Sequence, residues 1–177
     1  MGGEIVVVAV GEVEASVVAH LCAALPETFR RPCRVGDAWP VPKHAFDPRR
    51  AQYSAEAIVQ QLRLGKAERV LGVVDLDLYV PELNFVFGLA DPQGRHAVIA
   101  LPRLRQRFYG ARDDEALFLA RAVKEAVHEL GHTFGLLHCD TPRCVMSRSV
   151  NLPEVDGKGS AFCRDCRTRL HDLQREG

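Results

Sequence analysis

The sequence is short of several things, and each shortage removes a class of protein. No apolar run approaches the roughly 18 residues of a membrane-spanning helix, so no span and no membrane partner are expected. Charge of one sign is not in excess: 23 Lys and Arg face 23 Asp and Glu, for a formal net charge of zero. That balance argues against a basic nucleic-acid-binding surface and against the self-repulsion of a disordered chain. There are no internal repeats and no low-complexity tracts. Six cysteines in 177 residues are too few for a disulfide scaffold. A secretory signal is also missing: Met1 to Val10 carries Glu4 and no Lys or Arg, and its apolar run, Ile5 to Val10, is short. The expectation is a cytoplasmic, monomeric protein whose cysteines stay reduced unless a metal claims them.

What is present is enough for one folded domain, 1–177, since 47% of the residues are hydrophobic. Ile5 to Val10 reads as a buried strand, and Val13 to Leu25 as a helix stopped by Pro26. Thr28 to Val35 is expected to be a second strand, followed by a proline-containing loop to Pro48. Ala51 to Leu64 reads as a helix ended by Gly65, and Arg69 to Asp75 as a central strand. Asn84 to Phe87 and His96 to Ala100 follow as strands, the turn Asp91-Pro-Gln-Gly94 giving an antiparallel hairpin at a sheet edge. Strands interleaved with helices predict an α/β fold with a mixed twisted sheet and an antiparallel edge strand. From Asp113 to Phe134 apolar residues recur at three- and four-residue spacing, which predicts a long helix. The chain is expected to loop from there to about Ser160 and to end in a helix over Cys163 to Leu173.

Chemistry concentrates in His128-Glu-Leu-Gly-His132-Thr-Phe-Gly135-Leu-Leu-His138. Residues four apart on a helix share a face, so His128 and His132 can offer imidazoles to one ion. Glu129 is rotated by about 100° from His128, so it flanks that ion and can hold a water against it. Gly135 lets the chain break out of the helix, and His138 can return as a third ligand. Three imidazoles with a fourth position open is the pattern of a catalytic zinc, with Glu129 as the general base of amide hydrolysis. Downstream, Cys139 and Cys144 at C-x4-C spacing and Cys163 and Cys166 at C-x2-C spacing suit a closed, structural zinc site. Disulfides and free thiols are the rival readings of those four cysteines.

At the histidine motif the sequence resembles the metzincin metallopeptidases. Met146 stands where that clan has a methionine turn beneath the metal. With the cysteines included, H-E-x-x-H-x-x-G-x-x-H-C-x4-C-x-M and C-x2-C, it is similar to the archaemetzincins. The segments Asp77 to Gly88 and Ser149 to Lys158 add to that likeness, which covers about residues 70 to 177. The resemblance implies a metzincin-like open α/β sandwich with a horizontal cleft, an active-site helix, and a zinc-clamped C-terminal loop and helix. It implies two zinc ions per chain, one at His128, His132 and His138 with Glu129 catalytic, the other at Cys139, Cys144, Cys163 and Cys166. It also implies a rim strand that pairs with extended peptide, either Asn84 to Phe87 or His96 to Ala100. In one respect the chain departs: where some metzincins have a tyrosine two residues after the methionine, it has Arg148.

Other residues carry weaker signals. Arg31 to Asp37 resembles the cysteine-switch segment of matrix metalloproteinase pro-regions, although its place inside the globular pattern favours an ordinary strand thiol at Cys33; Cys22 reads as core. Arg103, Arg105 and Arg107 alternate, so as a strand they would share a solvated face. Asp75 and Asp77 suit either the cleft or a strand-to-loop junction. The expected function is a zinc metallopeptidase, an amino- or oligopeptidase acting on peptide or protein. The alternative is a zinc-stabilised module that binds peptide or protein without cleaving it.

Overall fold

The computed structural model describes residues 3–63, 69–91 and 94–176. Its centre is a five-stranded sheet of β1 (Ile5–Ala9), β2 (Cys33–Val35), β5 (Arg69–Val74), β8 (His96–Ala100) and β7 (Gly88–Ala90), in the order β2-β1-β5-β8-β7. The first four run parallel, and β7 lies antiparallel to β8 at one edge. Parallel strands buried on both faces can be almost wholly apolar. Ile5 and Val7 accordingly pack into one core, and Val6 and Val8 into the other. The first core holds α1 (Ala15–Phe29) and α3 (Glu115–Thr133); α2 (Ala55–Leu62) covers the opposite face. Beside α2 lies a small sheet of β3 (Phe46–Asp47), β4 (Gln52–Ser54) and β6 (Leu78–Tyr79). Two further helices, α4 (Leu152–Gly157) and α5 (Arg164–Glu176), complete the chain. Among the described residues no helix is long and apolar enough to cross a membrane.

Several boundaries differ from the sequence expectation, each for a physical reason. α1 does not stop at Pro26; it runs on to Phe29, and Arg30 closes it in a left-handed conformation with its N–H on the Pro26 carbonyl. The lost proline N–H is outweighed by burying Phe29, whose ring stacks on Phe134 and meets Phe162 edge-on. The expected strand over Thr28 to Val35 therefore shrinks to β2. Ala51 is not helical: Gln52 to Ser54 form β4, and the Ser54 hydroxyl caps α2 by accepting the Ala57 N–H. Leu64 and Gly65, the expected end of α2, fall outside the described residues. Arg103 and Arg107 lie in two 3-10 turns, with Arg105 the extended residue between them, rather than in a strand. The expected loop to Ser160 contains α4, capped by the Asn151 side chain.

Candidate active site

α3 starts where the Asp114 carboxylate accepts the Leu117 N–H at 3.0 Å. Its apolar stripe (Phe118, Ala122, Ala126, Leu130) is buried in the core, and Arg121, Glu125, His128 and His132 recur at helical spacing beside it. His128 and His132 come one turn apart with their Nε2 atoms separated by 3.1 Å. Each Nδ1–H donates at 2.8 Å to a backbone carbonyl, His128 to Val145 and His132 to Leu136, which turns both Nε2 lone pairs toward one point. Gly135, at a φ of 93°, ends the helix as expected. His138 follows, its ring centroid 4.8 Å from that of His132 and 5.3 Å from that of His128. One ligand nitrogen from each of the three lies within 4.8 Å of the others. Burial keeps the imidazoles neutral: it pushes His128 down to about 3, with the Lys158 charge adding to the effect. His132 and His138 are lowered by the same cause. Neutral, pre-oriented imidazoles are what a zinc ion requires, and the set fits one.

Glu129 is buried beside them, its carboxyl pushed up to about 8 by burial first and by the Glu125 charge second. It lies against the edge strand at Gly88, where a Cβ would come within 2.6 Å of Glu129 Cγ and 2.7 Å of the Val98 carbonyl oxygen. Met146 is fully buried beneath α3. A Cβ on Gly131 would reach 2.6 Å from its sulfur, so the methionine turn and the helix fit through a missing side chain. Sequence reasoning passed over both glycines. It also gave no role to Glu125 and Lys158, an ion pair of 2.9 Å with both side chains almost wholly buried. Nearby, Arg121 holds Asp156 through two hydrogen bonds of 2.6 Å and so ties α4 to α3.

The four C-terminal cysteines converge as expected. Their sulfurs lie within 4.8 Å of one another, with Cys139 Sγ 3.8 Å from Cys163 Sγ. That spacing matches the edge of a tetrahedron with zinc–sulfur bonds, about 3.8 Å. Three backbone N–H groups donate to these sulfurs: Thr141 to Cys139, Cys163 to Cys144, and Cys166 to Cys163. The last of these draws the Cys163 thiol down to about 7, whereas burial raises Cys144 and Cys166. Three sulfurs that already accept N–H donors, in a closed set of four, fit a structural zinc. The Cys139 N–H also donates to the Met146 carbonyl at 3.1 Å, which links this cluster to the methionine turn.

A cavity of about 590 Å³ opens over the histidines, bordered by Leu83 to Ala90 on one side and by His138, Arg148, Ser149 and Val150 on the other. Of the two segments that the sequence suggested for its rim, only Asn84 to Phe87 borders it, and not as a strand. His96 to Ala100 is interior, between β5 and β7, while Asn84 to Phe87 only leads into the edge strand Gly88–Ala90. The rim is anchored: Arg50 donates to the Leu83 carbonyl and Gln52 to that of Asn84. A second hollow of about 410 Å³ shares Phe85 and Val150 with the first. The alternating arginines go separate ways. Arg103 holds Asp77 through two hydrogen bonds, Arg105 is buried over Phe118 near Asp75, and Arg107 is exposed near Asp113. Cys33 lies in β2, at the sheet edge opposite the cleft, and is not part of the histidine cluster.

Comparison with known proteins agrees with this geometry. A model of peptidase family M54 matches residues 30–172. The chain belongs to that family. Archaemetzincin from Methanopyrus kandleri is 49% identical over 140 residues, 77% of each chain. The archaemetzincin of Methanocaldococcus jannaschii is 38% identical over 163 residues, covering 92% of this chain and 90% of that one. Among solved structures, the M. kandleri archaemetzincin superposes with a TM-score of 0.87 at 39% identity over 98% of this chain and 96% of its own. An archaemetzincin from Archaeoglobus fulgidus, complexed with malonate, gives 0.83 at 34% identity over 93% and 99%. As a member of M54 the chain is a zinc metallopeptidase with the mixed α/β fold of the archaemetzincins.

Proposed function

We propose that the chain cleaves peptides with Glu129 as general base and then acid. In this reading His128, His132 and His138 hold the catalytic zinc, and Cys139, Cys144, Cys163 and Cys166 hold a second, structural zinc. The observation that carries it is the meeting of three neutral imidazoles and one buried carboxylate at the wall of a single cleft. A bound zinc supplies Lewis acidity, which acidifies water and polarises the scissile carbonyl. The remaining work belongs to the chain. The free edge of β7 pairs with extended substrate, because its other edge is already taken by β8. Glu129 accepts a proton from the attacking water and passes it to the leaving amine. Burial suits it to both tasks, since a raised proton affinity makes the carboxylate a stronger base.

The continuation of the cleft into a second hollow favours an oligopeptidase, with room for several residues. We read 1–177 as one metallopeptidase domain, because one core cluster joins Ile5 and Val7 to Cys166 and Leu170. A monomeric, cytoplasmic protein belongs to this reading, and three of its exposed apolar side chains, Leu83, Leu137 and Val150, lie at the cleft. The test is a peptide-library digest by zinc-loaded wild type beside Glu129→Ala. Products are expected from wild type only. Equal product from both would overturn the catalytic assignment, and product from neither, with peptide still bound, would favour the binding module.

A further inference from the structure

Among the described residues, the charged side chains that line the cleft form no ion pair with one another. Besides the histidines it is lined by Glu125, Glu129 and Arg148. Glu125 is neutralised from behind by Lys158 at 2.9 Å. Glu129 is occupied with proton transfer. Arg148 is exposed to the cleft and has no carboxylate partner among the described residues; its Nη2 lies 3.4 Å from Nδ1 of His138. The next residue, Ser149, lines the same cavity, and its buried Oγ has no hydrogen-bond partner among the described residues. Two consecutive residues thus put a guanidinium and a hydroxyl at the cavity wall, the first bonded only to His138 Nδ1 and the second without a partner among the described residues. A guanidinium fork with a neighbouring hydroxyl is a donor set for a carboxylate. Among the described residues that line the cavity nothing equivalent is available for a substrate ammonium, because Glu125, the one carboxyl group besides the general base, already has its cation.

We propose that Arg148 and Ser149 form a carboxylate subsite, so that preferred substrates carry an anionic group next to the scissile bond. Its source is either the C-terminal α-carboxylate of a short peptide or an Asp or Glu side chain. This rests on the peptidase reading above and deepens it, moving the preference away from aminopeptidase action and toward anion-anchored oligopeptides.

The experiment uses matched fluorogenic peptides: free acid against amidated C-terminus, and Glu against Gln on either side of the cleaved bond. With wild type, at least one pair should favour its carboxylate member by roughly tenfold in kcat/KM, mainly through KM. That preference should weaken as salt screens the exposed guanidinium. The pair that responds identifies the source. In Arg148→Gln the ratio should fall to near one. Arg148→Lys should keep only part of it, because a point charge lacks the fork. Ser149→Ala should lose a smaller share. Fluorescence anisotropy of the same peptides on Glu129→Ala gives the ratio without turnover. If wild type cleaves acidic and neutral members alike, or if Arg148→Gln keeps the wild-type ratio, the subsite is refuted and the peptidase reading stands. If no peptide is cleaved but binding to Glu129→Ala still discriminates through Arg148, the subsite stands and the peptidase reading fails.

Discussion

Gly88→Ala is the sharpest test of how the general base is held. The substitution adds one methyl group, and the φ of Gly88 is not in the left-handed region, so the backbone itself accepts alanine. What objects is the neighbourhood. The new Cβ would lie 2.6 Å from Glu129 Cγ, 2.9 Å from its Oε1 and 2.7 Å from the Val98 carbonyl oxygen. Glu129 could swing aside, but Val98 is backbone in β8 and cannot, so the strand and the carboxylate must separate by several tenths of an ångström or more. Overpacking of this kind costs about 1–3 kcal/mol, which for a chain of this size is a fall in Tm of roughly 2–4 °C per kcal/mol. The catalytic cost is larger in proportion, since displacing a reacting group by about 1 Å can lower the rate around 100-fold. The assay is kcat on a quenched peptide, with zinc content and thermal unfolding measured on the same sample. Zinc content should be unchanged, because the three atoms nearest the added methyl belong to Glu129 and Val98 and none to a histidine. A variant with kcat within about twofold of wild type would refute the argument that this close approach positions Glu129.

Three further outcomes follow from the geometry. Cys166→Ser should lower zinc from about two to about one per chain by metal analysis and reduce thermal stability, the surviving ion being the one that chelators remove readily. Glu125→Gln should destabilise the fold by about 3–5 kcal/mol in denaturant titration, because Lys158 is left buried without its counter-ion; adding Lys158→Met should recover part of that loss. In metal-free protein the Glu129 carboxyl, raised from 4.5 to about 8, binds its proton more tightly when folded, so its contribution to stability falls as pH rises through that window. Relative to Glu129→Gln, wild type should therefore lose about 2 kcal/mol between pH 6.5 and 8, and a difference that is flat or rising with pH would contradict the burial argument.

Legibility in the sequence followed the range of the interaction. The histidine pair was readable because i and i+4 on a helix are neighbours whatever the rest of the chain does. The cysteine pairs were readable because ligand spacing within each pair is local. The strands Ile5–Ala9, Arg69–Val74 and His96–Ala100 were readable because burial on both faces demands continuous apolar runs. Some local signals were present and passed over: Ser54 before Ala55, and Asn151 with Pro153 and Glu154, are both helix-cap patterns. The edge strand is a different matter. Gly88-Leu-Ala90 has little β-propensity, and it is extended because β8 supplies its hydrogen bonds; the aromatic stretch before it, Phe85 to Phe87, places the expected strand, Asn84 to Phe87, three to four residues too early. Long-range polar contacts leave no period at all. Glu125 and Lys158 stand 33 positions apart in the sequence, and each alone looks like a surface charge. Gly88 and Gly131 have the same character, since a missing side chain records the shape of a partner that only folding brings near. The residues that name the chemistry are thus local, whereas those that hold it in register are distant, and substitution at the second kind is where a sequence-only account of this enzyme would first fail.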